Sequence, residues 1–283
     1  MVCSPLAWQS DNSWYSIITE RQRKQKQAAN NSRQHYKQVL RMWRSEKGIV
    51  TGAVRHNDGT SVVKVFTESH GMIPFIFHLS KTGKKASRNT LIQPLTQIEF
   101  QTDYVPTATF MHLKEPKNAF PYRSIPFNVT KSAIAIFMGE FLTHALGQEQ
   151  ANPGLYRYIT DSISWLDGAD SGQCANFHIL FVLGITSHIG ICPNKDNYSP
   201  GSCLDLREGT FTALTPEHQE FSDAQTSYKI ASLMECGFDD MSGVPLTGTE
   251  RRAILNDLNL YFRLHIPLFP QLKSIEVLQA IFC

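Results

Sequence analysis

The segment Ser80-Lys81-Thr82-Gly83-Lys84-Lys85-Ala86-Ser87-Arg88-Asn89 places four cations among small and hydroxyl-bearing residues. Lysine and arginine at this density neutralise phosphates without reading base sequence. Gly83 and the serines let a polyanion's backbone come close. Lys47, Arg55 and Lys64 lie upstream and extend the same chemistry. Phe66, Phe75 and Phe77 stand nearby at strand spacing, where rings can serve as platforms for bases; the same spacing also suits a buried core. Gly83-Lys84 is not a nucleotide-binding P-loop, because the earlier glycine is missing and Lys85 stands where Ser or Thr is required.

Other chemistry finds little support. His188, Cys192 and Cys203 fall close together, but no fourth residue has the spacing of a zinc ligand. Asp239-Asp240 could face a hard cation or simply form a solvated turn. His78, His112, His144, His178 and His265 are scattered and form no constellation. No G-x-S-x-G, H-E-x-x-H or deaminase signature occurs. The residues predict no catalytic group, no metal and no cofactor.

The elements that must position the basic segment have a period of two. Lys47–His56 is strand-like, and Asn57-Asp58-Gly59 supplies hairpin chemistry. Thr60–Glu68 follows, with Val63 and Val65 on one face and Val62, Lys64 and Phe66 on the other. Ser69-His70-Gly71 turns the chain into Met72–Leu79, in which Pro74 predicts an edge or distorted strand. Residues 80–90 read as a basic loop. Pro94–Tyr104 and Thr107–Lys114 complete five strands, the number of a small OB-fold barrel.

Beyond Pro121 the period becomes helical. Thr130–Leu146 is amphipathic, and Asn152-Pro153 opens a helix ending before Asp167-Gly168. Cys174–Ile189 is apolar all round, as a central buried helix is. Residues 192–214 read as loop and Ser222–Cys236 as helix. Thr247 and Glu250 have capping-box spacing at the start of a helix through Leu264, and a last helix runs from Leu272 to Phe282. The expected class is α+β: residues 42–121 a five-stranded barrel that binds nucleic acid, residues 122–283 an all-α helical domain. Residues 1–41, rich in Gln, Asn and basic groups, read as a tail or as an artefact of start-site choice, with Met42 as the working start.

Charge follows the same division. The formal total is only +2. Residues 1–41 carry seven Lys/Arg against two Asp/Glu, residues 42–121 ten against six, and residues 122–283 ten against seventeen. A basic front and an acidic back point to a nucleic acid for one and protein partners for the other. The cysteines at 3, 174, 192, 203, 236 and 283 contain no CxxC, which fits reduced thiols in a cytoplasmic protein. The longest apolar run, Phe177–Ile191, is short for a membrane span.

The order of these features resembles a known family. Gly48-Ile49-Val50, Val63 through Gly71, the basic loop and Leu91-Ile92-Gln93-Pro94-Leu95 resemble the N-terminal domain of RecO proteins. Tyr122-Arg123-Ser124-Ile125-Pro126-Phe127, the helix Lys131–Leu142, Ala175-Asn176-Phe177-His178, Asp205-Leu206-Arg207-Glu208-Gly209 and the end from Tyr261-Phe262 to Val277-Leu278 look like the form found in Bacteroidetes-type bacteria. The resemblance covers roughly residues 42–283.

It implies a nucleoid-associated, non-enzymatic recombination mediator of the RecF pathway. Such a protein binds single- and double-stranded DNA, anneals complementary strands, acts with RecR, engages the acidic C-terminal tail of single-stranded-DNA-binding protein and helps load RecA. The family's basic barrel loop corresponds to Lys81, Lys84, Lys85 and Arg88. Arg251, Arg252 and Arg263 are candidates for the acidic tail. Some members hold zinc with four cysteines; only Cys192 and Cys203 remain here, so zinc does not carry over. Two other readings stay open: a metal-dependent DNA-processing enzyme, marked by three carboxylates in one pocket, and an OB-fold module for RNA.

Overall fold

A computed structural model describes residues 43–57, 59–79, 83–105, 108–147 and 149–282, without the side chains of 83–87. Strands β1 (Arg44–Asn57), β2 (Thr60–Thr67) and β3 (Gly71–His78) form an antiparallel meander. The predicted turn closes the first hairpin, where the Asn57 side chain accepts the Gly59 N–H at 3.0 Å. β4 (Gln97–Thr102), β5 (Met111–His112) and β6 (Lys114–Asn118) complete the sheet, in the order β5-β3-β2-β1-β4-β6.

The expected fifth strand is thus split at Leu113. Its first part runs parallel to β3 and its second antiparallel to β4, so one stretch of chain joins the two outer edges. This division raises the number of strands described in this sheet to six without changing the OB-fold architecture. Pro74 sits one residue before the β3–β5 pairing begins, where no ladder bond is lost. Val50, Val63, Val65, Ile73, Phe75, Phe77, Ile98, Phe100 and Met111 fill the interior.

The basic segment is not a simple loop. Gly83–Ile92 forms a 3-10 helix. Leu91 and Ile92 pack against the barrel core, and this apolar end draws the segment onto the barrel.

The second half contains α1 (Val129–Ala145), α2 (Pro153–Gly168), α3 (Phe177–His188), α4 (Ala224–Leu233), α5 (Gly248–His265) and α6 (Ser274–Ile281). Asn152 caps α2 through the Leu155 N–H at 3.0 Å, and Thr247 and Glu250 form the predicted capping box on α5. α3 is buried over nearly its whole length and forms the centre of the layer. The half is not all-α. Short strands Cys203–Asp205, Thr210–Thr212 and Phe221–Ser222 make a second sheet. Strands of two or three residues are too brief to carry a period, so residues 192–214 read as loop.

Barrel and helices share one core. Ile49, Phe66 and Leu95 belong to the same buried cluster as Phe137, Phe141 and Phe181. α1 lies directly on β1 because position 139 is glycine: a Cβ there would stand 2.8 Å from the Thr51 carbonyl oxygen. Among the described residues no helix is long and apolar enough to cross a membrane.

Candidate nucleic-acid interface

The outward face of the sheet is built from cross-strand rows. Register places Ile49 beside Phe66 and Phe66 beside Met72. The next outward row is Gly52, Lys64 and Pro74, then Val54, Val62, Ile76 and His112, then Asn57, Thr60 and His78 at the hairpin end. The first row is covered, because all three of its side chains pack into the helical core. The remaining rows are open: Val54, His78 and His112 are exposed, and Val62, Lys64, Pro74 and Ile76 are half-exposed.

The sequence-predicted cations divide along this face. Lys64 stands at the border with the helices, where its charge adds to burial in holding His144 below the usual histidine value. Arg55 is exposed near the hairpin end and donates from Nε to the Asn57 carbonyl at 3.4 Å, but it pairs with the buried Ser61 and so lies on the other side of β1 from the outward Val54. The basic segment begins at that same end, since the Leu79 N–H donates to the Gly59 carbonyl at 2.9 Å. Lys47 is exposed at the opposite end of β1, about 26 Å from Arg55 by strand rise, and does not join the group. Arg88 is exposed on the 3-10 helix. Lys81 lies outside the described residues, as do the side chains of Lys84 and Lys85.

The aromatic platform is corrected. Phe75 and Phe77 point into the barrel, where Phe75 meets Phe100 edge-on at 5.0 Å. Phe66 shares the outward face with Lys64, as its alternation requires, but the helical half covers it; Tyr156 lies 6.2 Å from its ring. None of the three offers a face to a base. Among the exposed aromatics of residues 42–121, which also include Trp43 and Phe120, are Tyr104, already stacked on His70 at 3.8 Å, and Phe110. Both flank the β4–β5 connection. No period marks that segment, so sequence reasoning passed over them.

In the helical half, Arg251 and Arg252 border a shallow hollow floored by His178, Leu255, Leu278 and Phe282. Arg251 Nη1 donates to the Leu246 carbonyl at 2.6 Å, and its guanidinium sits 5.8 Å from the Phe282 ring centre. His178 stacks on Phe282 at 5.2 Å. Burial, helped by the Arg251 charge, pushes His178 down to about 3, so its imidazole is neutral. The hollow is a narrow crease of about 10 Å³ beside two cations, with His178, Leu255 and Leu278 almost fully buried beneath it. Arg263 is about 18 Å farther along α5 and takes no part in it. Among the described residues no group of three or more His, Cys, Asp or Glu could hold a metal.

Residues 41–122 match the model "Recombination protein O N terminal", and residues 126–274 match "Recombination protein O C terminal". The chain belongs to the RecO family of DNA repair proteins. It is 36% identical over 236 residues to the DNA repair protein RecO of Bacteroides fragilis, covering 83% of this chain and 97% of that protein. It is 35% identical over 235 residues to the RecO of Phocaeicola vulgatus, with the same coverage. The RecO of Flavobacterium psychrophilum is 31% identical over 239 residues, 83% of this chain and 98% of its own. The N-terminal RecO model thus spans the sheet with the open rows, and the C-terminal model spans the hollow except for its α6 side, Leu278 to Phe282.

Proposed function

We propose that the chain is a non-enzymatic recombination mediator that binds single- and double-stranded DNA and anneals complementary strands. The division of labour falls near residue 121. The barrel, residues 42–121, carries the DNA; residues 122–283 carry protein partners. The observation that supports this best is the open part of the sheet face, edged by Lys64 and leading to the hairpin end where Arg55 and the basic segment lie, in a chain of the RecO family. Cations screen the repulsion between two polyanionic strands, while a largely apolar floor leaves the bases unpaired and available. With ten Lys/Arg against seventeen Asp/Glu, the second half repels DNA, which suits it to RecR and to the tail of single-stranded-DNA-binding protein. That tail would bring its carboxylates to Arg251 and Arg252 and an apolar side chain against Phe282 at the mouth of the hollow. Loading of RecA on coated strands, acting with RecR on cytoplasmic, nucleoid DNA, completes the reading.

The test is annealing of two complementary oligonucleotides by the full chain, without nucleotide or metal. Annealing well above the spontaneous rate is expected. A rate equal to the spontaneous one, or a requirement for divalent metal with strand cleavage, refutes the proposal. Tighter binding of RNA than of DNA would assign the barrel to RNA.

A further inference from the structure

The DNA-binding reading leaves open which side chain touches a base, since the three phenylalanines at strand spacing are buried. Phe110 is 43% exposed, and among the described residues no ring lies against it. A phenyl group in water must be held there by something else, and its neighbours do so. Met111 is buried in the barrel core and pairs with Phe75, and its sulfur accepts the Val105 N–H at 3.5 Å. Met111 points inward and His112 outward; Phe110 directly precedes β5, and the same alternation carried back one residue sets it on the His112 side. The β3–β5 register, carried back one residue, sets Phe110 beside Pro74, whose other neighbour is Lys64.

On that continuation Phe110 joins the observed Lys64–Pro74 pair in one row: an open ring, a flat spacer that cannot compete for hydrogen bonds, and a cation. Adjacent strands are about 4.8 Å apart, so ring and cation are separated by roughly 10 Å. One nucleotide can then lay its base on Phe110 and reach Lys64 with its phosphate. Tyr104 is less suited because His70 already occupies one of its faces. Phe120 is also partly engaged, with Tyr122 5.9 Å away.

We infer that Phe110 is the base-stacking residue of this barrel and that its row with Lys64 is a subsite for one unpaired nucleotide. This rests on the DNA-binding reading above. Duplex DNA has its bases already stacked and gains nothing from the ring, so the subsite selects single strands.

The test uses the full chain, an oligo-dT strand and a duplex of equal length, at several salt concentrations. Phe110→Ala should weaken single-strand binding roughly fivefold or more, the lower end of what one base–aromatic contact contributes. Duplex affinity should stay within about twofold, and the salt slope should not move, because no charge is removed. Phe110→Trp should restore single-strand binding, and a 2-aminopurine base in the strand should be quenched by the native chain but not by Phe110→Ala. If the native chain binds DNA while Phe110→Ala binds single strands equally well, the stacking assignment fails and the DNA reading stands. Equal loss on single strand and duplex also overturns the assignment. Failure of the native chain to bind either would remove the DNA reading and the subsite with it.

Discussion

The joint between barrel and helices depends on one carboxylate, and removing it should be measurable. Asp167, 8% exposed at the end of α2, accepts the Arg123 N–H at 2.8 Å on one oxygen, and the Ser124 and Ile125 N–H groups at 2.9 Å each on the other. These residues are the segment that leads from the barrel into α1. Lys131, 2% exposed, closes the arrangement by donating to Ser124 Oγ and to the carbonyls of Asp167 and Ala169. Asp167→Ala leaves three backbone donors without an acceptor. Water reaches Arg123 and Ser124, which are not buried, so those two cost little. Ile125 is sealed, and an orphaned buried donor costs about 1–3 kcal/mol. Lost charge-assisted bonds to the other two bring the expected destabilisation to roughly 2–4 kcal/mol, read as a shift of the urea midpoint at unchanged slope. The pH dependence follows from the carboxyl's own titration. Burial alone would raise it, but the Arg123, Ile125 and Ser124 donors outweigh burial and hold it below its unfolded value of 3.8. Its contribution is therefore present above that pH and lost as pH falls through the folded value, so the gap between native and variant should narrow in acid. A destabilisation under about 0.5 kcal/mol, or a gap that widens below pH 4, would refute the reasoning.

Other consequences are as direct. Asp257 is a carboxyl whose burial, with the nearby Asp223 charge, raises it to about 6 against the Ser222 hydroxyl bond of 2.6 Å, which favours ionisation. The folded state then holds an extra proton between about pH 4 and 6, and stability falls as pH rises through that window. Asp257→Asn should accordingly stabilise at pH 7.5 by at most about 3 kcal/mol and have no such effect at pH 4, in urea titrations at the two pH values. Changing Lys81, Lys84, Lys85 and Arg88 together to Ala should weaken DNA binding and lower the single-strand salt slope by up to about 3, measured by fluorescence anisotropy at several salt concentrations. Arg251→Ala with Arg252→Ala should abolish binding of an acidic, Phe-ended peptide in calorimetry while leaving DNA affinity unchanged. Loss of both would place the two activities on one surface.

Much of this arrangement was legible in the residues. Period and turn chemistry located β1, β2 and β3, and Asn152-Pro153 and Thr247 with Glu250 marked two helix starts that the capping bonds reproduce. What escaped was decided by contacts between distant segments. Alternation correctly grouped Val62, Lys64 and Phe66 on one face, yet Phe66 is buried because α2's Tyr156 arrives over that end of the sheet. Nothing within residues 60–68 announces that neighbour. The 3-10 helix at 83–92 escaped because its composition is that of a loop, and only Leu91 and Ile92 reveal that one end is packed. Phe110 escaped because a single exposed ring has no period.

On the proposed function, the covered row also limits how much nucleic acid the barrel can hold. Successive outward residues on a strand lie about 6.7 Å apart, so the three open rows, from Lys64 to Thr60, span roughly 13 Å. That is a short track beside the site sizes of about 4–16 nucleotides that OB-folds reach. To hold longer strands the path must leave the sheet. The helical half blocks one end with Phe66 and Met72, so the exit lies past Thr60 and His78. There the chain places the basic segment, tied to the hairpin by the Leu79–Gly59 bond. On this geometry the sheet rows and the basic helix act in series. Removing the loop cations should therefore shorten the measured site size as well as lower the affinity, whereas Phe110→Ala should lower affinity at constant site size. Titration of the two variants with oligonucleotides of increasing length separates these effects, and a site size unchanged in both would mean the strand leaves by another route.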